Sequence, residues 1–253
     1  MQSLRKGRYL ARLARTSDDL RAAQRLRWLC FVARNGAADG RDGGGLDTDG
    51  LDAACRHMLV EDTSTGRLVC CFRFLPLAGG GDIARSYSAQ FYDLSALESF
   101  DAPLLEVGRF CVHPGTQDPD IIRTAWAALS RIVEDGGIRM LFGCSSFMGT
   151  EPALHAEAFA MLRARHLAPR HWLPRVKAPN VFRFARARPS GRPDPKRAMA
   201  AMPPLLRSYL ALGGWVSDHA VVDPVLRTMH VFTGVEVGAI PPARRHLLQR
   251  TAS

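Results

Sequence analysis

Two short clusters carry the residue types that could do chemistry. Asp47-Thr48-Asp49-Gly50-Leu51-Asp52 sets three carboxylates on a glycine-flanked loop. Glu106-Val107-Gly108-Arg109-Phe110 sets a Glu three residues before an Arg and runs straight into Phe110-Cys111-Val112. Close carboxylates repel one another, so a fold keeps them together only with a compensating cation or full solvation. A cationic amine is one such counter-charge, and a solvated acidic loop is the alternative. Glu106 and Arg109 read either as a surface ion pair or, given their apolar flanks, as a semi-buried pair. Paired charges cost desolvation when buried and mark functional sites more often there. A base, a guanidinium and a negative field together suit a site where an amine meets an activated acyl group.

Other motifs fall short of the chemistry they evoke. Gly43-Gly44-Gly45 and Gly79-Gly80-Gly81 lack the spacing of phosphate-binding loops and read as flexible breaks. His155-Ala156-Glu157 matches half of a zinc deaminase signature, but every cysteine lies upstream of it. The Asp47 loop lacks the Gly at position six and the Glu at position twelve of an EF-hand. No metal site is expected. Cys144, in Gly143-Cys144-Ser145-Ser146-Phe147, reads as a buried strand-end cysteine before it reads as a nucleophile.

The elements that must position these residues follow from periodicity and punctuation. Residues 8–14 read as a strand. Thr16, with Asp19 three residues on, caps a helix over 17–33. Strands over 57–63 and 68–76 flank the turn signal Ser64-Thr65-Gly66. A strand at 104–113, a helix at 119–134, a strand at 138–144 and a helix at 152–165 follow. The segment 1–174 is therefore one core. Residues 175–199, rich in Pro and Arg, read as a basic linker or flap. Residues 200–253 form a C-terminal extension, helical over 205–212 and strand-like over 227–237.

With 253 residues and 47% apolar content the chain can bury a full core. Its net charge of +10 favours acidic partners, or reflects an Arg-rich genome. Six cysteines without CxxC spacing read as reduced thiols of a cytoplasmic protein. No run of 18 apolar residues is present, and the first residues lack the apolar core of a signal peptide.

The order and spacing of many segments resemble a known family. Ala23-Gln24-Arg25-Leu26-Arg27-Trp28 with Phe31, Leu51-Asp52 with Cys55 and His57-Met58-Leu59-Val60, and Glu106-x-Gly108-Arg109-Phe110-Cys111-Val112 look like the ornithine Nα-acyltransferases of ornithine-lipid synthesis. So do Cys144-Ser145-Ser146-Phe147, His166-Leu167-Ala168-Pro169 and Pro203-Pro204-Leu205-Leu206-Arg207. This family is related to the acyl-homoserine lactone synthases. The Gly36–Gly45 insert and His230, near an expected acidic position, depart from its pattern.

The resemblance implies a GNAT-like α/β fold, with a mixed, mostly antiparallel, splayed sheet and helices on both faces. It implies transfer of a 3-hydroxyacyl group from acyl carrier protein to the α-amine of ornithine, giving lyso-ornithine lipid. Glu106 is the expected base and Arg109 its partner. Asp47, Asp49 and Asp52, with Arg27 and Arg73, are expected to hold the amine substrate. Phe31, Phe110, Cys111 and Val112 are expected to bind acyl chain and pantetheine. No cofactor is needed beyond the carrier's phosphopantetheine thioester. The inner face of the membrane is a further expected contact. A lactone-type synthase using S-adenosylmethionine and a basic nucleic-acid-binding module are the rival readings; the basic segment lacks a reader motif, so no nucleic-acid partner is expected.

Overall fold

The computed structural model describes residues 3–33, 44–187, 193–242 and 244. In chain order its elements are β1 (Leu4–Lys6), β2 (Tyr9–Leu13), α1 (Ser17–Phe31), β3 (Arg56–Asp62), β4 (Arg67–Leu77), β5 (Tyr92–Asp93) and β6 (Leu104–Val112). Then come α2 (Pro119–Asp135), β7 (Met140–Met148), α3 (Ala156–Arg165), β8 (Arg175–Val176), β9 (Val181–Phe182), α4 (Pro195–Ala201), α5 (Pro204–Ala211), β10 (Trp215–Val216), β11 (Ala220–Asp223) and β12 (Thr228–Glu236). The chain divides into two compact units, one of residues up to 76 with 107–138 and those from 242 on, the other of 77–106 with 139–241. Strand β6 passes from one to the other between Glu106 and Val107.

In the first unit the strand order is β1-β2-β3-β4-β6, and β1 to β4 pair antiparallel. Helix α1 starts in a full capping box: Asp19 N–H donates to Thr16 Oγ1, and Asp19 Oδ2 accepts from Thr16 N–H. Its buried face of Ala23, Gln24, Leu26 and Arg27 meets a small core containing Leu59, Cys71 and Cys111. Helix α2 is capped by Asp118, starts on Pro119 and buries Ile121, Ala125, Ala128, Leu129 and Ile132. These lie at helical spacing, which gives the helix one apolar face.

In the second unit the order is β6-β7-β12-β11-β9. Strands β6 and β7 pair parallel over Leu104–Glu106, and the remaining neighbours pair antiparallel. A parallel pair needs a crossover, which α2 supplies. Strands β7 and β12 pair along their whole length, from Met140↔Glu236 to Met148↔Thr228. Alternation then sorts the side chains. Phe147, Met229 and Val231 enter the apolar cluster formed with Phe159, Leu162, Met202 and Leu206 of the helices. Cys144, Ser146, His230 and Phe232 take the other face.

Several expectations change. Residues 175–199, expected as a linker or flap, contribute β8, β9 and the start of α4; β8 pairs with β5 and β9 with β11. The expected division at 174 and 199 does not follow the two compact units. Gly79-Gly80-Gly81 is a tight passage: a Cβ on Gly80 would sit 1.9 Å from the Leu97 carbonyl oxygen, so only glycine fits there. Residues 36–43 of the Gly-rich insert lie outside the described residues. Among the described residues, no helix is long and apolar enough to cross a membrane.

Candidate active site

The acidic loop is built from its charges inward. Gln24 and Arg27 stand three apart on α1 and so share a face. The Gln24 carbonyl accepts from Asp47 N–H, and its side chain donates to Asp52 Oδ2 at 2.9 Å. Arg27, only 1% exposed, donates from Nε to Asp47 Oδ2 (2.8 Å), from Nη1 to Asp52 Oδ1 (2.7 Å) and from Nη2 to the Asp47 carbonyl (2.7 Å). Arg73, on β4, grips Asp49 with both terminal nitrogens and reaches Asp52 Oδ1 at 2.8 Å. Arg109, on β6, lies 3.1 Å from Asp47 Oδ2 and 3.4 Å from Asp49 Oδ2, with its guanidinium over the Phe31 ring.

Three guanidinium groups therefore face three carboxylates. The compensating cations that the loop demands are supplied by the chain itself. Fork-shaped guanidinium donors suit this, because each can satisfy two acids at once. Burial acts to raise the Asp52 carboxyl, but hydrogen bonds from Arg27, Gln24 and Arg73 overcome it and hold it at about 2. Asp49 is likewise lowered against burial by Arg73 and Arg109. Asp47 and Asp52 are buried, whereas the Asp49 side chain keeps 26% of its surface exposed. Of the three acids, Asp49 is the most exposed.

Arg27, expected to pair with a substrate carboxylate, has its donors turned onto the loop. Arg109, expected beside Glu106, directs its guanidinium to Asp47 and Asp49. It also adopts φ +52°, a left-handed backbone uncommon for a residue with a side chain. Such outliers persist only where the surroundings enforce them, and they cluster at functional sites. Phe110 stacks on Phe72 at 5.4 Å. Cys111 is buried beside Cys71, with 3.5 Å between the sulfurs, and the Val112 carbonyl accepts from the Cys30 thiol. The four residues expected to bind pantetheine and acyl chain thus divide. Cys111 is core, while Phe31, Phe110 and Val112 are half-buried.

Glu106 lies in the second unit at the end of the parallel β6–β7 pairing, opposite Phe142. It is 5% exposed, and three donors hold its carboxylate. Tyr87 N–H donates to Oε2 at 2.8 Å, Ser88 N–H to Oε1 at 2.8 Å and Ser88 Oγ to Oε1 at 2.6 Å. The sequence reading missed Ser88. It lies 18 residues from Glu106 in a segment with no motif of its own, so only the fold brings the two together.

The chain matches the family described as acetyltransferase (GNAT) domain over residues 26–127. It is 33% identical to the L-ornithine N(alpha)-acyltransferase of Rhodobacter capsulatus, over 96% of this chain and 95% of that one. It is 32% identical to the protein of the same name from Rhizobium meliloti, over 90% of this chain and 80% of that one. Among solved structures, the AHL synthase LasI aligns over 90% of both chains at 16% identity, with a TM-score of 0.45.

Proposed function

Because the chain belongs to the L-ornithine Nα-acyltransferase family, with a GNAT-like fold, we propose that it acylates the α-amine of ornithine with a 3-hydroxyacyl group from acyl carrier protein. The product is lyso-ornithine lipid. The observation that carries this reading is the likeness along nearly the whole chain to relatives named for that acceptor and that nitrogen.

Each residue then has a role. Ornithine carries two ammonium groups and one carboxylate, and the partly exposed Asp49 receives the δ-ammonium. Asp47, Asp52, Arg27 and Arg73 hold the loop that presents Asp49, and the substrate carboxylate meets the Arg109 side of the cluster. Glu106 takes the proton from the α-ammonium. The transfer runs directly or through a water. The neutral amine attacks the thioester carbonyl, a backbone N–H in Phe110–Val112 stabilises the oxyanion, and the carrier's thiolate leaves. Phe31, Phe110 and Val112 line the path of the pantetheine and acyl chain, with Cys111 packed behind them. The excess positive charge serves the acidic carrier and an anionic membrane surface.

Incubating the purified chain with ornithine and a 3-hydroxyacyl carrier thioester tests this by mass spectrometry of the product. The expected product is ornithine acylated at its α-nitrogen. A diffusible lactone formed only with S-adenosylmethionine would replace the reading with the lactone-synthase one.

A further inference from the structure

The carboxylate of Glu106 does not stand alone, and what surrounds it is built for more than burial. Ser88 gives two donors to one oxygen, Oε1, through its backbone N–H and its hydroxyl. Ser88 is fully buried, and the segment that carries it is pinned in turn. Ser86 Oγ donates to the Ile83 carbonyl at 2.7 Å and accepts from Ala89 N–H at 3.1 Å, and Gln90 N–H reaches the Tyr87 carbonyl. A third residue extends the chain of polar groups. Cys144 Sγ lies 3.5 Å from Ser88 Oγ. Because Glu106 pairs with Phe142 in register, Cys144, two residues further along β7, falls on the same face of the sheet as Glu106.

The direction of these bonds is fixed by proton counting. A serine hydroxyl has one hydrogen. At 2.6 Å from a carboxylate oxygen that hydrogen is committed to Glu106, so the Cys144 thiol is the donor behind it. The order Cys144 to Ser88 to Glu106 polarises each bond by the next.

We propose that Ser88 is a positioning residue for the acyltransfer reaction, and that Cys144 orients its hydroxyl. The proposal rests on the assignment of Glu106 as base. A backbone cap would have sufficed to bury the carboxylate, since Tyr87 and Ser88 N–H already satisfy one oxygen each. The hydroxyl adds a third donor to the carboxylate, the second on Oε1, which holds the carboxylate against rotation. It also favours the ionised form that accepts the proton.

The test uses the full chain and the carrier-thioester assay. Ser88→Ala should lower kcat about ten- to a hundredfold, as for loss of a hydrogen bond to a charged group. KM for ornithine and for the carrier should be unchanged. The acid limb of the pH–rate profile should move to higher pH, because one donor to the carboxylate is gone. Ser88→Cys, which keeps a weaker donor, should restore part of both effects. A purely structural role would lower the melting temperature and leave the pH profile in place. Wild-type kcat and pH profile in a folded Ser88→Ala would overturn the proposal. Should Ser88→Ala not fold, Cys144→Ala carries the same test: a smaller kcat loss with the same displacement supports it, and an unmoved profile overturns it. The two assignments fail separately. Retained turnover in Glu106→Gln removes the base itself, whereas an inactive Glu106→Gln beside an unaffected Ser88→Ala removes only the role of Ser88.

Discussion

Arg73 binds Asp49 through both carboxylate oxygens, and with one of the same nitrogens it also reaches Asp52. One guanidinium thus joins the exposed acid of the loop to a buried one. The position of the more exposed acid is thus set from behind.

The two acids should therefore separate in experiment. Asp49→Asn should raise KM for ornithine about tenfold or more, with little change in KM for the carrier, since it removes attraction for an ammonium. Asp52→Asn should instead destabilise the protein by about 3 kcal/mol, because it strips a partner from two buried guanidinium groups. Steady-state kinetics and chemical denaturation of both variants check this. Equal effects on ornithine KM and equal stabilities would show that the two acids are not divided as the geometry divides them.

Glu106→Gln should cut acyltransfer by about two orders of magnitude, the range expected on losing a general base. The substitution also sets an amide NH2 against one of the N–H donors of Tyr87 and Ser88, so melting curves must accompany the kinetics. Glu106→Asp keeps the charge and shortens its reach. Turnover near wild type from pH 6 to 9 in Glu106→Gln would exclude the base assignment.

Asp52 is held at about 2. A carboxylate lowered on folding contributes stability that is present above its unfolded value, about 3.9, and is lost as pH falls through the folded one. The loop should come apart between about pH 4 and 2. Acid titration followed by circular dichroism should show this transition, and Asp52→Asn should lack that component of it.

His230 gives a second window of the same sign. Burial pushes its imidazole down to about 4, with Asp223 opposing and the neighbouring His219 adding to the effect. The Tyr92 hydroxyl contacts both its ring and its carbonyl. A histidine lowered on folding contributes stability above its unfolded value, near 6.5, that declines as pH falls toward the folded one. Stability should drop between about pH 6.5 and 4, and His230→Gln should flatten that slope in urea titrations. An unchanged slope would place its origin elsewhere.

Arg165, Arg170 and Arg175 are exposed on the second unit, whereas Lys177 and Arg163 spend donors on the carbonyls of Ala89 and Ala187. Arg188, part of the same basic run, lies outside the described residues. If the exposed cations steer an acidic carrier, kcat/KM for the carrier should fall steeply between about 50 and 500 mM salt, as such fields are screened over about 8–10 Å. Reversing Arg165, Arg170 and Arg175 to Glu should remove most of that slope and leave kcat near its original value. A flat salt response in the unmodified chain would make the excess Arg compositional.

Much of the scaffold was legible in the residues. Thr16 and Asp19 announced α1, and Ser64-Thr65-Gly66 announced the β3–β4 turn. These signals are local, so they survive in one dimension. What was not legible depends on partners distant in the chain. Arg27 looks like an interruption of an apolar helix face until Asp47 and Asp52 fold onto it. Strands β8 and β9 are two residues each and exist only because β5 and β11 pair with them, so composition alone read them as linker. The loop was read as a negative field open to substrate, because nothing in its own residues reveals that Arg27, Arg73 and Arg109 neutralise it.

Strand β12 is the last described strand in the chain, yet it lies inside its sheet, between β7 and β11. A chain emerging from the ribosome begins folding from its N-terminal side. The part of the first unit up to residue 138 can therefore form early, once α2 has followed β6. Strand β7, with Phe142 and Phe147, must wait for residues 228–236 with an unpaired edge, the kind of surface that recruits other chains. Truncation before residue 228 should thus yield aggregates rather than a shorter soluble enzyme, and chaperone demand should be concentrated late in synthesis.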